Sequence, residues 1–301
     1  MPKKIFVYAH PDDEATSITA IKRSAETPDG TRLVCISNGD SNVEHNSSVR
    51  ELETAEALSA YMGRAPSEVN GMIDFCSFSE AEFREALLNE QFEQILEETV
   101  QIREKIGKLT TDSNIQLFTN FPDGGDARHL YVTWVVMNVI FPYLVSKGIP
   151  TEIFGNPKQI FDKNGGLLTI GRLPKEWEAR LPFAEPANIP EIGLENGVLT
   201  LTARERKWLE LLFKNPEHYA SQRNNGQNRD LFNLYMNAGL HHEEHFYKLD
   251  SSQLDYEKLP EQLPVVGLEA FGKKQVKNGR HGQVITYDHF LKMKQELEAQ
   301  L

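Results

Sequence analysis

Residues 4–26, KIFVYAHPDDEATSITAIKRSAE, change pattern twice, and those two changes decide the fold. Lys4–Ala9 is a short apolar run without polar alternation, which is how a strand buried on both faces reads. Glu14–Glu26 has helical spacing, and TPDGT after it is a stop signal. Between the two stand a histidine, a proline and the acids Asp12, Asp13 and Glu14. A strand that turns directly into a helix is the opening unit of a parallel, helix-covered sheet. In such sheets ligands bind beyond the carboxyl ends of the strands, and His10, Asp12 and Asp13 fall there.

The alternation continues outward. RLVCISNG (32–39) reads as a second strand, stopped by NGD. SSVRELETAEALSAYMG (47–63) reads as a helix with Ser48 and Glu51 as a capping box and Gly63 as its stop. SEAEFREALLNEQFEQILEETVQIREKIGK (79–108) reads as one long acidic amphipathic helix, boxed by Ser79 and Glu82. IQLFTN (115–120) is a strand, FPDGGDARH (121–129) a glycine-rich turn, and YVTWVVMNVIFPYLVSKG (131–148) an apolar helix that Pro142 kinks or ends. PTEIFGN (150–156) is a further strand. The expectation is an α/β fold, a mostly parallel sheet covered by helices.

The second half is less regular. GGLLTIG (165–171) and GVLTLT (197–202) suggest a hairpin or small sheet, and TARERKWLELLFKNPEHYASQ (202–222) a helix capped by Thr202 and Glu205. The last fifty residues are rich in proline and glycine and end in a helix. The simplest partition is one domain over residues 1–250 with a C-terminal extension, 251–301, packed on it.

The chain of 301 residues is 40% apolar and 25% charged, enough for a substantial core. A net charge of −12 speaks against unaided binding to nucleic acid or anionic lipid, and leaves a metal cation or a small neutral substrate open. Cys35 and Cys76 sit in strand-like apolar surroundings and read as reduced, buried thiols. The longest apolar run, YVTWVVMNVIFPYLV (131–145), is short for a membrane span, so no membrane insertion is expected. MPKK leads straight into a strand without a signal-peptide pattern, and a cytoplasmic location is the expectation.

His10 and Asp13 are three residues apart where a strand enters a helix, a spacing that points both side chains toward one spot. Imidazole and carboxylate suit a borderline divalent ion such as zinc, and a catalytic zinc takes three protein ligands and keeps a place for water. Asp12 then has the position to accept a proton from that water. Aspartates at a helix N-terminus more often cap it, but a cap does not call for the histidine. A third ligand has to come from another strand end. Among the nine histidines, His45 follows SNGDSN, His129 closes DGGDARH, and His218, His241, His242, His245, His281 and His289 lie in the second half. HHEEH (241–245) has the look of a ligand cluster, though a solvated helix or turn face is its plainer reading.

YAHPDDEA (8–15) resembles the signature of the PIG-L/LmbE-like zinc-dependent N-deacetylases, which remove acetyl groups from N-acetylglucosamine-containing substrates. CISNGD, VRELETAEALSAYMG, DGGDARH, NPEHYASQ and EEHF are similar in order to weaker motifs of that family, so the likeness runs in scattered pieces over residues 3–250. It implies a Rossmann-like sheet, His10, Asp13 and His129 as zinc ligands, Asp12 as general base, and Arg50 as a contact to sugar hydroxyls or phosphate. Fe2+ or Co2+ fits the same ligands. One departure stands out. Where the family has a histidine that stabilises the oxyanion, this chain has Asp126, and Arg128 precedes the ligand histidine. Arg128 is therefore a candidate oxyanion donor, and the implied substrate is a small N-acylated amino-sugar conjugate. An amidase for a non-sugar N-acyl compound and a metal-binding protein without catalysis are the alternatives.

Overall fold

A computed structural model of the chain describes residues 2–26, 30–40, 47–110, 114–122, 126–162, 164, 166–178, 180–223, 235–239, 242–263, 266–277, 279 and 282–301. Strand β1 (Lys3–Tyr8) sends Ile5 and Val7 to one face of a sheet and Phe6 and Tyr8 to the other, and all four are 0% exposed. The strands that follow are β2 (Thr31–Ser37), β3 (Ile73–Phe78), β4 (Ile115–Asn120), β5 (Thr151–Asn156), β6 (Gln159–Phe161), β7 (Leu167–Ile170), β8 (Ala184–Pro186), β9 (Leu194–Glu195), β10 (Val198–Thr200), β11 (Glu243–His245) and β12 (Tyr247–Leu249).

The main sheet has seven strands in the order β3-β2-β1-β4-β5-β12-β8. The first five are mutually parallel, and β12 runs antiparallel to both β5 and β8. The order grows one way from β1 to β3 and the other way from β4 to β5. The reversal between β1 and β4 opens a crevice beyond their carboxyl ends.

Helices α1 (Ile18–Ala25) and α2 (Ser47–Met62) cover one face, where Phe6, Tyr8, Leu33, Cys35, Phe118 and Phe154 are buried. The rings of Phe6, Phe118 and Phe154 stack across β1, β4 and β5 at centroid distances of 4.4 and 5.1 Å. Each such pair adds about 0.5–1.5 kcal/mol beyond its burial. After α3 (Pro66–Asn70), helices α4 (Glu80–Leu88), α5 (Phe92–Leu109) and α6 (Ala127–Val135) cover the other face, with Ile5, Val7, Val34 and Leu117 beneath them. The C-terminal helix Tyr287–Gln300 packs into this second layer through Phe290, Met293 and Leu297.

Several expected elements take a different form. The long helix over 79–108 is two helices: Glu90 adopts a φ of +56°, a left-handed turn that an α-helix of L-residues does not contain. Pro142 does not end its helix. A π-turn over Val136–Ile140 precedes it, and α7 (Phe141–Ser146) continues the same helix; the wider turn loosens the hydrogen-bond ladder just where the proline lacks an amide. The whole segment Ala127–Ser146 is long and apolar enough to cross a membrane by length and composition, but most of it is buried inside this fold. Ser48 lies within α2, and Glu51 bonds the Ser77 hydroxyl, so that pair forms no capping box. Of HHEEH, Glu243–His245 form strand β11, not a helix or turn face, and His241 lies outside the described residues. Glu244 points inward and accepts the amides of Thr19 and Ala20 at the start of α1, at 2.7 and 2.9 Å. GGLLTIG and GVLTLT contribute to different small sheets, β6-β7 and β11-β10-β9.

Candidate metal centre

The loop after β1 is tightly wired. The His10 amide donates to Asp13 Oδ2 at 3.0 Å, and the Asp13 amide donates to the His10 carbonyl at 3.3 Å. Asp12 between them has φ 125° and ψ −18°, outside the ordinary region for a residue with a Cβ. A backbone of this kind costs about 1–3 kcal/mol and persists only where its surroundings over-determine it. Here they do. The Asp12 amide donates to Glu14 Oε2 at 2.8 Å, and Arg50 on α2 donates from Nη2 to the Pro11 carbonyl at 3.0 Å and stands 3.3 Å from Asp12 Oδ1. Arg50 Nη1 in turn donates to the Gly39 carbonyl at 2.6 Å, and a Cβ at Gly39 would fall 1.9 Å from that nitrogen. The glycine of SNGD is thus the gap through which the arginine passes.

Beneath the loop lies Lys158, 2% exposed. Its ammonium donates to the Asp13 carbonyl, to Thr16 Oγ1 and, at 3.0 Å, to Asn156 Oδ1, and it sits 3.9 Å from the centre of the Tyr8 ring. A buried cation is stable only with such partners. Glu14 accepts the Tyr219 hydroxyl at 2.7 Å, and Glu53 of α2 accepts the amide and hydroxyl of Ser221 at 2.7 and 2.6 Å. These bonds bring NPEHYASQ against both HPDDE and RELE.

Three donors converge in the crevice. His129, in the first turn of α6, places Nε2 3.2 Å from His10 Nδ1 and 3.2 Å from Asp13 Oδ1. The donor atoms of His10, Asp13 and His129 all lie within 4.8 Å of one another. A tetrahedral ion with bonds of about 2.0–2.1 Å sets its ligand atoms about 3.3 Å apart, so two imidazole nitrogens and a carboxylate oxygen at these separations fit zinc. Asp13 is oriented for one-oxygen ligation: Oδ2 takes the His10 amide and, at 3.1 Å, the Asn120 amide, which leaves Oδ1 facing His129. Asn120 also fixes the end of β1 by accepting the Ala9 amide at 3.1 Å.

The other two expected site residues have fixed partners of their own, although a carboxylate oxygen of Asp126 stays within 4.8 Å of donor atoms of His10 and Glu80. Asp126 is the N-cap of α6 and accepts the Arg128 amide at 2.7 Å. Arg128 is 0% exposed; its guanidinium forks onto Glu98 of α5 at 2.6 and 3.2 Å and lies 4.1 Å over the Phe83 ring. Its Nε is 3.4 Å from Glu80 Oε2, and that same oxygen is 3.3 Å from His10 Nε2. Arg128 therefore braces the wall behind His10 and presents no donor to the crevice.

Burial raises the Asp12 carboxyl, and the nearby Arg50 offsets only part of that rise. Burial acts the same way on Asp13, but His129, by charge and hydrogen bond, together with the charges of Lys158 and His10, outweighs it and holds the carboxyl far below its ordinary range. Glu14 is pushed up to about 7 by burial and by the charge of Asp12. Asp126, despite burial, is lowered by the two histidines.

Of the remaining described histidines, His245 bonds Glu243 at 3.0 Å, His289 caps the C-terminal helix, His218 lines a groove with Trp208, and the His242 amide donates to the Gly239 carbonyl at 2.8 Å. His45, His241 and His281 lie outside the described residues. Asn120, Lys158 and Glu80 did not stand out in the sequence. The one signal for the first two is their place at the carboxyl end of a parallel strand, Asn120 as the last residue of β4 and Lys158 two residues after β5.

No family profile and no curated protein matches the chain. Solved structures do. A triple mutant of a deacetylase of the teicoplanin biosynthetic pathway shares 13% identity at a TM-score of 0.50, covering 82% of this chain and 98% of that one. A complex of the deacetylase in teicoplanin biosynthesis matches with 11% identity and a TM-score of 0.50, over 82% and 96% of the two chains. The N,N'-diacetylchitobiose deacetylase of Pyrococcus horikoshii, bound to an inhibitor, has 11% identity and a TM-score of 0.42 over 83% and 84%. The first two share the fold of this chain: a mostly parallel sheet flanked by helices, with a less regular C-terminal region.

Proposed function

We propose that the chain is a zinc-dependent amide hydrolase that removes an acetyl or other acyl group from the nitrogen of a small amino-sugar conjugate. The observation that carries the reading is the convergence of His10, Asp13 and His129 at the switch point, with Asp12, whose carboxyl feels the charges of all three, left outside the donor set. The fold shared with solved deacetylases and the likeness of YAHPDDEA to the PIG-L/LmbE-like signature point the same way.

Zinc held by these three residues would supply Lewis acidity toward the amide carbonyl and make a water nucleophilic near neutral pH, and Fe2+ or Co2+ fits the same donors. Asp12 takes the proton of the attacking water on its carboxylate and returns it to the departing amine. The strained loop and Arg50 hold that carboxylate in one place. Asp13 and Asn120 fix the direction of approach, because Asp13 Oδ1 alone faces the centre. The fully buried Arg128 makes no contact with substrate, and Asp126, as an ionised cap, offers no proton to an oxyanion.

That last point favours a second reading, a metal-binding protein of this fold without turnover. Acetate release from a panel of N-acetylated amino sugars and their conjugates separates the two. The hydrolase reading expects turnover that zinc restores after chelation. It further expects Asp12→Asn to keep its zinc and lose about 10²–10⁴-fold in kcat. An Asp12→Asn variant with full activity contradicts the base assignment, and zinc binding without turnover on any N-acyl amine supports the second reading.

A further inference from the structure

A histidine that ligates through Nδ1 must carry its proton on Nε2, and in a buried site that proton needs an acceptor. His10 turns Nδ1 to His129 and Asp13, and its Nε2 is 3.3 Å from Glu80 Oε2. Glu80 is 2% exposed. Among the described residues Oε2 has no hydrogen bond of good geometry; His10 Nε2 and Arg128 Nε are 3.3 and 3.4 Å from it, and a carboxylate oxygen of Asp126 lies within 4.8 Å of donor atoms of both His10 and Glu80.

Glu80 is also firmly placed. It opens α4, whose first turn is capped by Ser79 and by Asp40. Asp40 Oδ1 accepts the amides of Glu80 and Ala81 at 2.7 and 3.0 Å, and its Oδ2 accepts the Ser79 hydroxyl at 2.9 Å. On the far side the Arg128 guanidinium balances the charge of Glu80 and is itself locked by Glu98 and Phe83. Segments following β2, β3 and β4 thus meet behind a ring carried by the end of β1.

We infer that Glu80 is a positioning residue whose carboxylate accepts the Nε2 proton of His10 and so fixes the tautomer and ring plane that present Nδ1 to the metal. The inference rests on the metal-centre reading above. Outer carboxylates of this kind change metal affinity by about 10–100-fold when removed.

The test uses the full chain as wild type, Glu80→Ala, Glu80→Gln and Glu98→Gln. Nitrogen-15 spectra of the metal-free imidazoles at pH 9 report the His10 tautomer, and competition with a chelator reports zinc affinity. Wild type is expected to carry the proton on Nε2. Glu80→Ala shifts population to the Nδ1 tautomer and loses about 10–100-fold in zinc affinity. Glu80→Gln, whose carbonyl still accepts, recovers part of both, and it decides the matter if the alanine variant fails to fold. Glu98→Gln unpairs Arg128 without touching His10, so it loses thermal stability and keeps the wild-type tautomer and affinity. The inference is overturned by a wild-type Nδ1 proton, by an unchanged tautomer in both Glu80 variants, or by Glu98→Gln shifting His10 as much as they do. If wild type takes up no zinc, the metal-centre reading fails, and the tautomer alone still judges Glu80.

Discussion

Asp12 pairs a strained backbone with an unspent carboxylate, and the two properties separate by substitution. At φ 125° a Cβ is the source of the strain, and glycine has none. Asp12→Gly and Asp12→Ala both remove the carboxylate and its approach to Arg50, so their difference isolates the backbone. We predict that Asp12→Gly is the more stable by about 1–2 kcal/mol in urea unfolding. Equal stabilities would mean that the loop relaxes and that Asp12 carries no strain. At this scale HPDDE pointed to a donor cluster because a histidine is not what a helix cap needs, and His10 and Asp13 do lie together with His129. Arg128 was misleading: next to His129 in sequence, it points away from it, since successive residues of a helix face about 100° apart. No local pattern marks a partner such as Glu98, thirty residues earlier on another helix.

The elements that hold the site were readable where a cap is local and hidden where it is borrowed. The box of Thr202 and Glu205 at the start of the helix Ala203–Lys214 is present as its spacing indicated. Glu205 also takes Arg23 of α1 at 2.9 and 2.6 Å, a contact across 182 residues that the sequence could not show. Hydrogen bonds and charge from Arg23 and Thr202, working against burial, hold the Glu205 carboxyl down at about 2. A carboxylate with a lowered folded value stabilises above its ordinary range, and that contribution fades as pH falls toward 2. Glu205→Gln should therefore cost about 1–2 kcal/mol at pH 7, after allowance for solvent screening, and progressively less from pH 4.5 downward. Parallel wild-type and variant stability curves over pH 3–7 would contradict this. The same distinction explains the long helix that proved to be two. The acidic amphipathic spacing runs unbroken through 79–108, and nothing in it marks Glu90 as a left-handed turn.

Across the whole molecule, the strand order places the site. Alternation of strand and helix indicated a parallel sheet, and the reversal between β1 and β4 sets His10 opposite His129 from segments more than a hundred residues apart. The antiparallel edge was not legible, because β8 and β12 are three residues each, too short for a period to register. A metal that bridges two strand ends binds the folded chain and not the unfolded one. Zinc at a hundredfold excess over its Kd then adds about 2.7 kcal/mol, and Tm should rise by several degrees over the chelator-treated protein, an increment that His129→Ala abolishes. An unchanged Tm would argue against a bridge. The most direct measurement is an anomalous difference map at the zinc edge from crystals grown with zinc. The account predicts one strong peak at about 2.0–2.2 Å from His10 Nδ1, Asp13 Oδ1 and His129 Nε2. A map with no peak there, or with zinc bound only at other residues, contradicts it.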